Sequence, residues 1–339
     1  MIKEMIQKVI SNKNLSFDES YQVMNSIMKG EVNNSHIAGL LVALKSKGEH
    51  SDEVGGFVKA MRENSIKIDS ASEAIDVCGT GGDNSNTFNI STAVSFVVAG
   101  AGIKVAKHGN RSISSKSGSS DVLTELGVNV NIPKEQSEKA LEEIGITFLF
   151  APNYHPAMKY VMPVRRELGF KTVFNILGPL TNPASTKRQM IGTFDNEAAK
   201  LMREASSKLD MDKICFICTD NGFDEITLSG MTNVFEYSRE NGFKEYEISA
   251  ETFGYSVVDL KNLIGGTPKE NAKILMDIFG GKEIGAKKNV VVANAAMALY
   301  SAGYSDDLIK CKLTAEESII SGKTLEKLNS LKEFGKENQ

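Results

Sequence analysis

Little in this chain ties it to a membrane, an oxidising compartment or a polyanion. Its most apolar windows, near 93–103 and 290–302, fall well short of the ~18–20 residues that a membrane span needs. The opening Met1-Ile2-Lys3-Glu4-Met5 mixes charge with apolar residues and lacks the apolar core and cleavage site of a signal peptide. A cytoplasmic protein with no membrane partner is the expectation. The formal net charge of -4 supplies no general attraction to nucleic acid, so any basic groups that matter must be local. Cysteine is sparse: Cys78, Cys215, Cys218 and Cys311 are too few and too scattered for a disulfide framework. Cys215 and Cys218 form a Cys-x-x-Cys, but they sit in Lys213-Ile214-Cys215-Phe216-Ile217-Cys218, which reads as a buried strand. Residues three apart on a strand face opposite ways, and no second ligand pair accompanies them, so strand packing is favoured over zinc or redox chemistry.

What is present is an ordinary globular composition spread over 339 residues, enough for about two domains. From Ile2 to about Ile66 the pattern is helical. Ile37, Leu40, Leu41 and Leu44 make one apolar stripe, and Val54, Phe57, Val58 and Met61 another. Ser16 with Glu19 is a capping-box signature, and Gly30 reads as the stop of the helix that follows it. After a polar break near 69–73, strands are expected at 75–77, 103–106, 128–132 and 147–150, with helices at 91–100, 120–126 and 134–144 between them. That alternation predicts a largely parallel sheet, with ligands outside the carboxyl ends of its strands. Four of the seven prolines fall in 155–184 and punctuate two expected helices, 157–168 and 172–177, in an excursion that should pack back on the N-terminal helices. Beyond it come a strand at 190–194, a helix at 196–209, the cysteine strand, a strand pair near 234–237 and 243–248, and a helical tail over 268–333.

Four groups have the composition of a site. Gly79-Thr80-Gly81-Gly82-Asp83 lets backbone N–H groups approach a bulky anion, and Ser91 and Thr92 open a helix whose positive end favours one. A Walker loop is excluded, since no Gly-Lys-Ser/Thr follows. Lys107-His108-Gly109-Asn110-Arg111 sets two cations beside Ser112, Ser114, Ser115 and Ser117, a loop suited to a polyphosphate. Asp224-Glu225 follows a buried strand and offers the carboxylates that Mg²⁺ takes together with phosphate oxygens. Arg165 and Arg166 offer a bidentate grip on a carboxylate. Taken singly, a random Asp-Glu is more often a solvated pair and either arginine a surface side chain, whereas the glycine turn leading into a helix start and the two cations on a Gly- and Ser-rich loop favour an anion over a plain turn or solvated charges.

Together and in this order, with Asn89-Ile90-Ser91-Thr92, Gly118-Ser119, His155-Pro156-Ala157-Met158-Lys159 and Phe174-Asn175-Ile176-Leu177-Gly178-Pro179-Leu180-Thr181-Asn182-Pro183, the chain resembles the anthranilate phosphoribosyltransferases along essentially its whole length. Ser120 stands where that family usually has alanine, and Lys171 where it usually has arginine. The resemblance implies an α/β large domain with a mostly parallel mixed sheet plus a small all-α domain, of the nucleoside phosphorylase and phosphoribosyltransferase type. The helical domain would be 1–70, joined in space by about 163–185; the large domain, binding phosphoribosyl pyrophosphate, would be 73–162 and 188–339. A homodimer formed through the helices is implied as well.

The resemblance also implies transfer of a phosphoribosyl group from phosphoribosyl pyrophosphate to anthranilate, the second committed step of tryptophan synthesis. Gly79, Gly82, Asp83, Thr87, Asn89, Ile90, Ser91, Thr92, Lys107, Ser115 and Ser119 would hold phosphoribosyl pyrophosphate. Ser91, Asp224 and Glu225 would hold Mg²⁺, and Gly79, His108, Asn110, Arg165 and Pro179 would bind or line the path of anthranilate. No dedicated general base is implied, His108 being a minority candidate. A nucleoside phosphorylase of related fold is disfavoured for want of a Lys-His-Ser-x-Gly-Gly-type signature, and a nucleic-acid-binding relative for want of a basic stripe.

Overall fold

A computed structural model describes residues 1–69, 73–82, 85–111 and 116–337. Four helices come first: α1 (Ile2–Ile10), α2 (Phe17–Met28), α3 (Asn34–Lys47) and α4 (Ser51–Glu63). The capping box at the head of α2 is reciprocal, with Ser16 Oγ accepting from Glu19 N–H at 3.2 Å and the Glu19 carboxylate accepting from Ser16 N–H at 2.7 Å. Gly30, just past α2, takes the left-handed conformation (φ +75°) that stops a helix. Both apolar stripes are buried.

The sheet contains β1 (Ile75–Gly79), β2 (Val105–Gly109), β3 (Ile146–Phe150), β4 (Arg188–Gly192), β5 (Lys213–Thr219), β6 (Thr232–Ser238) and β7 (Gly242–Ile248). Their order is β3-β2-β1-β4-β5-β6-β7; pairs from β3 through β5 are parallel, and β6 and β7 are added antiparallel. Strand order reverses at β1, which has β2 on one side and β4 on the other. In such sheets the crevice at the carboxyl ends of the strands flanking the reversal is where ligands bind.

The intervening helices are α5 (Ile90–Gly100), α6 (Ser119–Glu125), α7 (Lys134–Glu143), α8 (Ala151–Tyr154), α9 (Met162–Leu168), α10 (Phe174–Leu180) and α11 (Asn196–Ser206). After β7 follow α12 (Pro268–Phe279), α13 (Ala286–Ser301), α14 (Leu308–Ile320) and α15 (Lys323–Glu337). One sheet face, with Val77, Met190, Cys215 and Ile217, packs on the buried helices α5 and α13. The other, with Ile191, Ile214 and Phe216, shares a core with α2, α3, α4, α11 and, from the proline-rich excursion, Val164 of α9 and Phe174, Leu177 and Leu180 of α10. Cys215 and Cys218 are buried free thiols whose strand parity puts them on opposite faces. No helix among the described residues is long and apolar enough to cross a membrane.

Three local expectations need correction. Residues 128–132 are not a strand, although Val128, Val130 and Ile132 are buried alternately. Asn129 Oδ1 takes the Asn131 N–H at 3.0 Å, so a local turn satisfies backbone that a ladder would otherwise use. The helix expected over 157–168 is broken: a 3₁₀ segment, Pro156–Tyr160, precedes α9, and Pro163 sits in the first turn of α9, where its missing N–H costs nothing. Finally, β2 runs on to Gly109, so Lys107 and His108 are strand residues rather than loop residues.

Candidate active site

The turn after β1 is held from several sides. Thr80 N–H donates to the Gly192 carbonyl (2.9 Å), Phe194 N–H donates to Thr80 Oγ1 (3.1 Å), and Gly81 N–H donates to Asp224 Oδ2 (2.8 Å). Asp224 is wedged against the ends of two strands. A Cβ at Gly79 would lie 2.5 Å from its Oδ2, and one at Gly192 only 1.6 Å from its backbone carbonyl oxygen. Glycine at both positions is therefore a condition for bringing the acidic turn onto the glycine turn.

Lys107 projects from β2 beneath this turn with 3% of its surface exposed. Its ammonium donates to the Val77 carbonyl at 2.6 Å and to Ser91 Oγ at 3.3 Å. Burial pulls its pKa below the ordinary lysine value, and the negative charge of Asp76, with smaller contributions from Cys78 and Glu225, opposes that. Helix α5 starts beside it at Asn89. The Asn89 side chain does not cap the helix: its amide donates to the Ser117 carbonyl (3.1 Å), and its oxygen accepts from Ser117 Oγ (3.1 Å) and Asn271 Nδ2 (2.9 Å). Ile90 N–H donates to the Phe88 carbonyl (2.6 Å), the first-turn N–H groups at Ser91 and Thr92 lack a side-chain cap, and the fully buried Thr92 Oγ1 has no hydrogen-bond partner. An uncapped helix start with an orphaned hydroxyl and a buried ammonium is a receptor for an anion.

Thr87 donates from Oγ1 to Glu225 Oε2 at 3.2 Å, joining the acidic turn to the segment that leads into α5. Asp224, Glu225 and the Ser91 hydroxyl are hard oxygen donors. Among the described residues no three or more His, Cys, Asp or Glu side chains cluster as an all-protein metal cage. Two carboxylates and a hydroxyl beside an anion receptor fit Mg²⁺, which keeps waters and shares its shell with phosphate oxygens. Ser119 opens α6, and its Oγ donates to the Asn110 carbonyl at 3.2 Å. Asp83 and Ser115 lie outside the described residues.

On the other side of β2, His108 and His155 are both buried, with ring centroids 5.2 Å apart and each Nε2 unpartnered. Burial, then the neighbouring His155 and Lys107, push the His108 pKa well below the ordinary value; burial pushes His155 down to about 4 despite its hydrogen bond to the Thr181 carbonyl. Both rings are neutral near pH 7. The buried Asp76 carboxylate accepts from His108 N–H (3.1 Å) and from Gln189 Nε2 (3.3 Å), and Gln189 Nε2 also donates to the Pro179 carbonyl (3.0 Å). His108 and Pro179 are thereby fixed to one buried scaffold. Arg165, half-buried on α9, stacks at 5.4 Å over Phe174 of α10, the helix that also carries Pro179. Asn110 lies just past β2, its Oδ1 accepting from Arg111 N–H at 2.7 Å.

Sequence reading assigned no role to Asp76, His155, Gly192 or Gln189. The traces they leave are slight: a carboxylate inside the apolar Ile75-Asp76-Val77, a glycine closing Met190-Ile191-Gly192, and a glutamine at the head of that strand.

Two family models together span most of the chain: the helical bundle domain of a glycosyl transferase family over residues 3–65, and the a/b domain of the same family over residues 71–325. An anthranilate phosphoribosyltransferase of a Thermoanaerobacter species is 46% identical over 335 residues, with 98% of each chain covered. The crystal structure of the anthranilate phosphoribosyltransferase from Thermus thermophilus superposes with a TM-score of 0.92 at 38% identity, covering 98% of this chain and 99% of that one. The enzyme from Saccharomyces cerevisiae in complex with PRPP and Mg gives a TM-score of 0.89 at 26% identity, with 99% and 98% covered. In complex with 4-fluoroanthranilate the yeast enzyme gives 0.87 at 25%, with the same coverage. On this full-length similarity the chain belongs to the anthranilate phosphoribosyltransferase family.

Proposed function

We propose that the chain transfers the phosphoribosyl group of phosphoribosyl pyrophosphate to the amine of anthranilate and releases pyrophosphate. The observation that carries this reading is the convergence, at the strand-order reversal, of the glycine turn, buried Lys107, the uncapped start of α5 and the Asp224–Glu225 pair. Across β2 from them lies a separate neutral group, His108 and His155 with Pro179, and the Arg165 cation stacks on Phe174 of the helix that carries Pro179. One half suits a pyrophosphate and the other a planar aromatic acid.

Gly79, Gly82, Asp83, Thr87, Asn89, Ile90, Ser91, Thr92, Lys107, Ser115 and Ser119 are proposed to hold phosphoribosyl pyrophosphate. Gly79, His108, Asn110, Arg165 and Pro179 are proposed for anthranilate, with the guanidinium of Arg165 on its carboxylate. Ser91, Asp224 and Glu225 would hold Mg²⁺, which when bound neutralises charge on the leaving pyrophosphate. As the ribose–pyrophosphate bond breaks and the amine nitrogen forms the new bond to the same carbon, negative charge grows on the departing oxygens, and the nitrogen, left positively charged and acidic, gives up one proton to solvent. Lys107 and the first-turn N–H groups of α5 stand ready to stabilise the negative charge without reorganising. The amine of anthranilate is already uncharged at neutral pH, so catalysis rests on positioning. Buried neutral His108 lacks the basicity of a strong proton acceptor.

A helical unit of 1–70 with 163–185 and an α/β unit of 73–162 with 188–339 would then meet across the cleft. A homodimer through the helical unit is part of the proposal, supported by exposed Ile10 and Val42 on α1 and α3. So is a cytoplasmic location, because the polyanionic substrate does not cross a bilayer unaided. The test is loss of anthranilate fluorescence on mixing with phosphoribosyl pyrophosphate and Mg²⁺, with EDTA as control. No loss at saturating substrates would remove the reading.

A further inference from the structure

Each residue of the turn from Thr80 to Gly82 has an anchor outside it. Thr80 is held by Gly192 and Phe194 at the end of β4, and Gly81 by Asp224. Gly82 is held from elsewhere: its carbonyl accepts from Lys171 Nζ at 2.7 Å. Lys171 lies in the connector between α9 and α10, which joins the helix of Arg165 to the helix of Pro179. Its ammonium also sits 4.2 Å from the ring centroid of Phe194, whose N–H holds Thr80. Gly82, Lys171, Phe194 and Thr80 thus close a ring of contacts around the turn. Lys171 is exposed, so these two directional contacts hold it there rather than burial.

The packing at Gly82 supports the same conclusion. Gly82 takes the left-handed conformation (φ +73°), and the lysine stem runs along it, so that an added Cβ would lie 3.0 Å from Lys171 Cε. A backbone carbonyl beside a polyphosphate repels it. An ammonium on that carbonyl cancels the repulsion and fixes the peptide orientation.

We propose that Lys171 is a positioning residue that ties the phosphate-facing turn to the acceptor-carrying α9–α10 segment, so that the pyrophosphate end of the donor and the aromatic acceptor bind with positive coupling. This rests on the transferase reading above for the identity of the two ligands. Coupling of this kind is reciprocal: whatever tightens one ligand through the strap tightens the other equally.

The test compares Lys171→Met, which keeps the length and loses the cation, with Lys171→Arg, which keeps a cation, donors and stacking on Phe194. Isothermal titration with inorganic pyrophosphate and Mg²⁺ is run beside steady-state kinetics. Lys171→Met is expected to weaken pyrophosphate binding and raise the donor KM roughly tenfold, the size of one charge-assisted hydrogen bond, with kcat within about twofold. Lys171→Arg should restore both to within about twofold of wild type, and neither variant should lower the Tm, since the side chain is exposed. Pyrophosphate affinity within about twofold of wild type in Lys171→Met, or no rescue by arginine, would overturn the strap. A wild-type protein without turnover whose pyrophosphate affinity still falls in Lys171→Met would instead sink the transferase reading and leave the strap standing.

Discussion

Replacing Gly192 by alanine puts a methyl group where the backbone of the acidic turn already lies. The new Cβ would stand 1.6 Å from the Asp224 carbonyl oxygen and 2.5 Å from its carbonyl carbon. Neither atom belongs to a flexible side chain, so the end of β4 and the acidic turn must part by more than an ångström. Overpacking costs about 1–3 kcal/mol where side chains adjust, and a backbone clash belongs at the upper end, about 3 kcal/mol. For a chain of this size that lowers the Tm by roughly 4 °C. The displacement also carries Asp224 away from Gly81 N–H, so the Mg²⁺ concentration for half-maximal rate and the donor KM should both rise. Differential scanning fluorimetry and a Mg²⁺ titration of the rate measure the two effects. As a control, Gly39→Ala in α3 adds a Cβ that meets only Ile6 Cδ1 at 3.9 Å, and it should stabilise by about 0.5–1 kcal/mol. Wild-type melting and an unchanged Mg²⁺ titration for Gly192→Ala would refute the claim that this glycine is what admits the acidic turn.

The remaining predictions concern protons, the metal and the acceptor. His155 is held neutral, with a folded pKa of about 4 against an ordinary value of 6.5. Its contribution to stability is therefore complete above pH 6.5 and is lost as pH falls toward 4, by at most about 3 kcal/mol. Denaturant melts between pH 4 and 7 should show a shallower acid limb in His155→Phe, and identical limbs would contradict the buried neutral ring. Glu225→Gln should raise the Mg²⁺ requirement about tenfold or more with little change in Tm, read by titrating the metal into EDTA-stripped enzyme; an unshifted curve would remove Glu225 from the metal set. Arg165→Ala should raise the anthranilate KM steeply while His108→Ala leaves turnover nearly intact, and the reverse pattern in initial rates would restore His108 as a proton acceptor.

Much of this was legible locally. The Ser16–Glu19 box, the stripes on α3 and α4 and the alternation of strands and helices are short-range patterns, and each folds as its period dictates. The glycine turn was legible as a turn at a strand end, since three glycines in four residues favour one, but its ligand was not. What escaped depends on partners far away in the chain. Residues 128–132 alternate as a strand would, yet the sheet edge is β3 and Asn129 diverts the backbone. Lys107 reads as a loop cation because its neighbours are polar, while in the fold it is a buried strand residue beneath Val77. Asp76 looks like an anomaly within an apolar run until His108 and Gln189 arrive to share it. Gly192 is an unremarked strand end until Asp224, thirty-two residues later in the numbering, comes within bonding distance of its absent side chain.

That one site joins a pyrophosphate half to an aromatic-acid half is tested most directly by following the reaction with ³¹P nuclear magnetic resonance while recording anthranilate fluorescence in the same sample. One pyrophosphate should be released for each anthranilate consumed, with neither change in the absence of the other substrate. Pyrophosphate appearing without loss of anthranilate, or inorganic phosphate in its place, would contradict it.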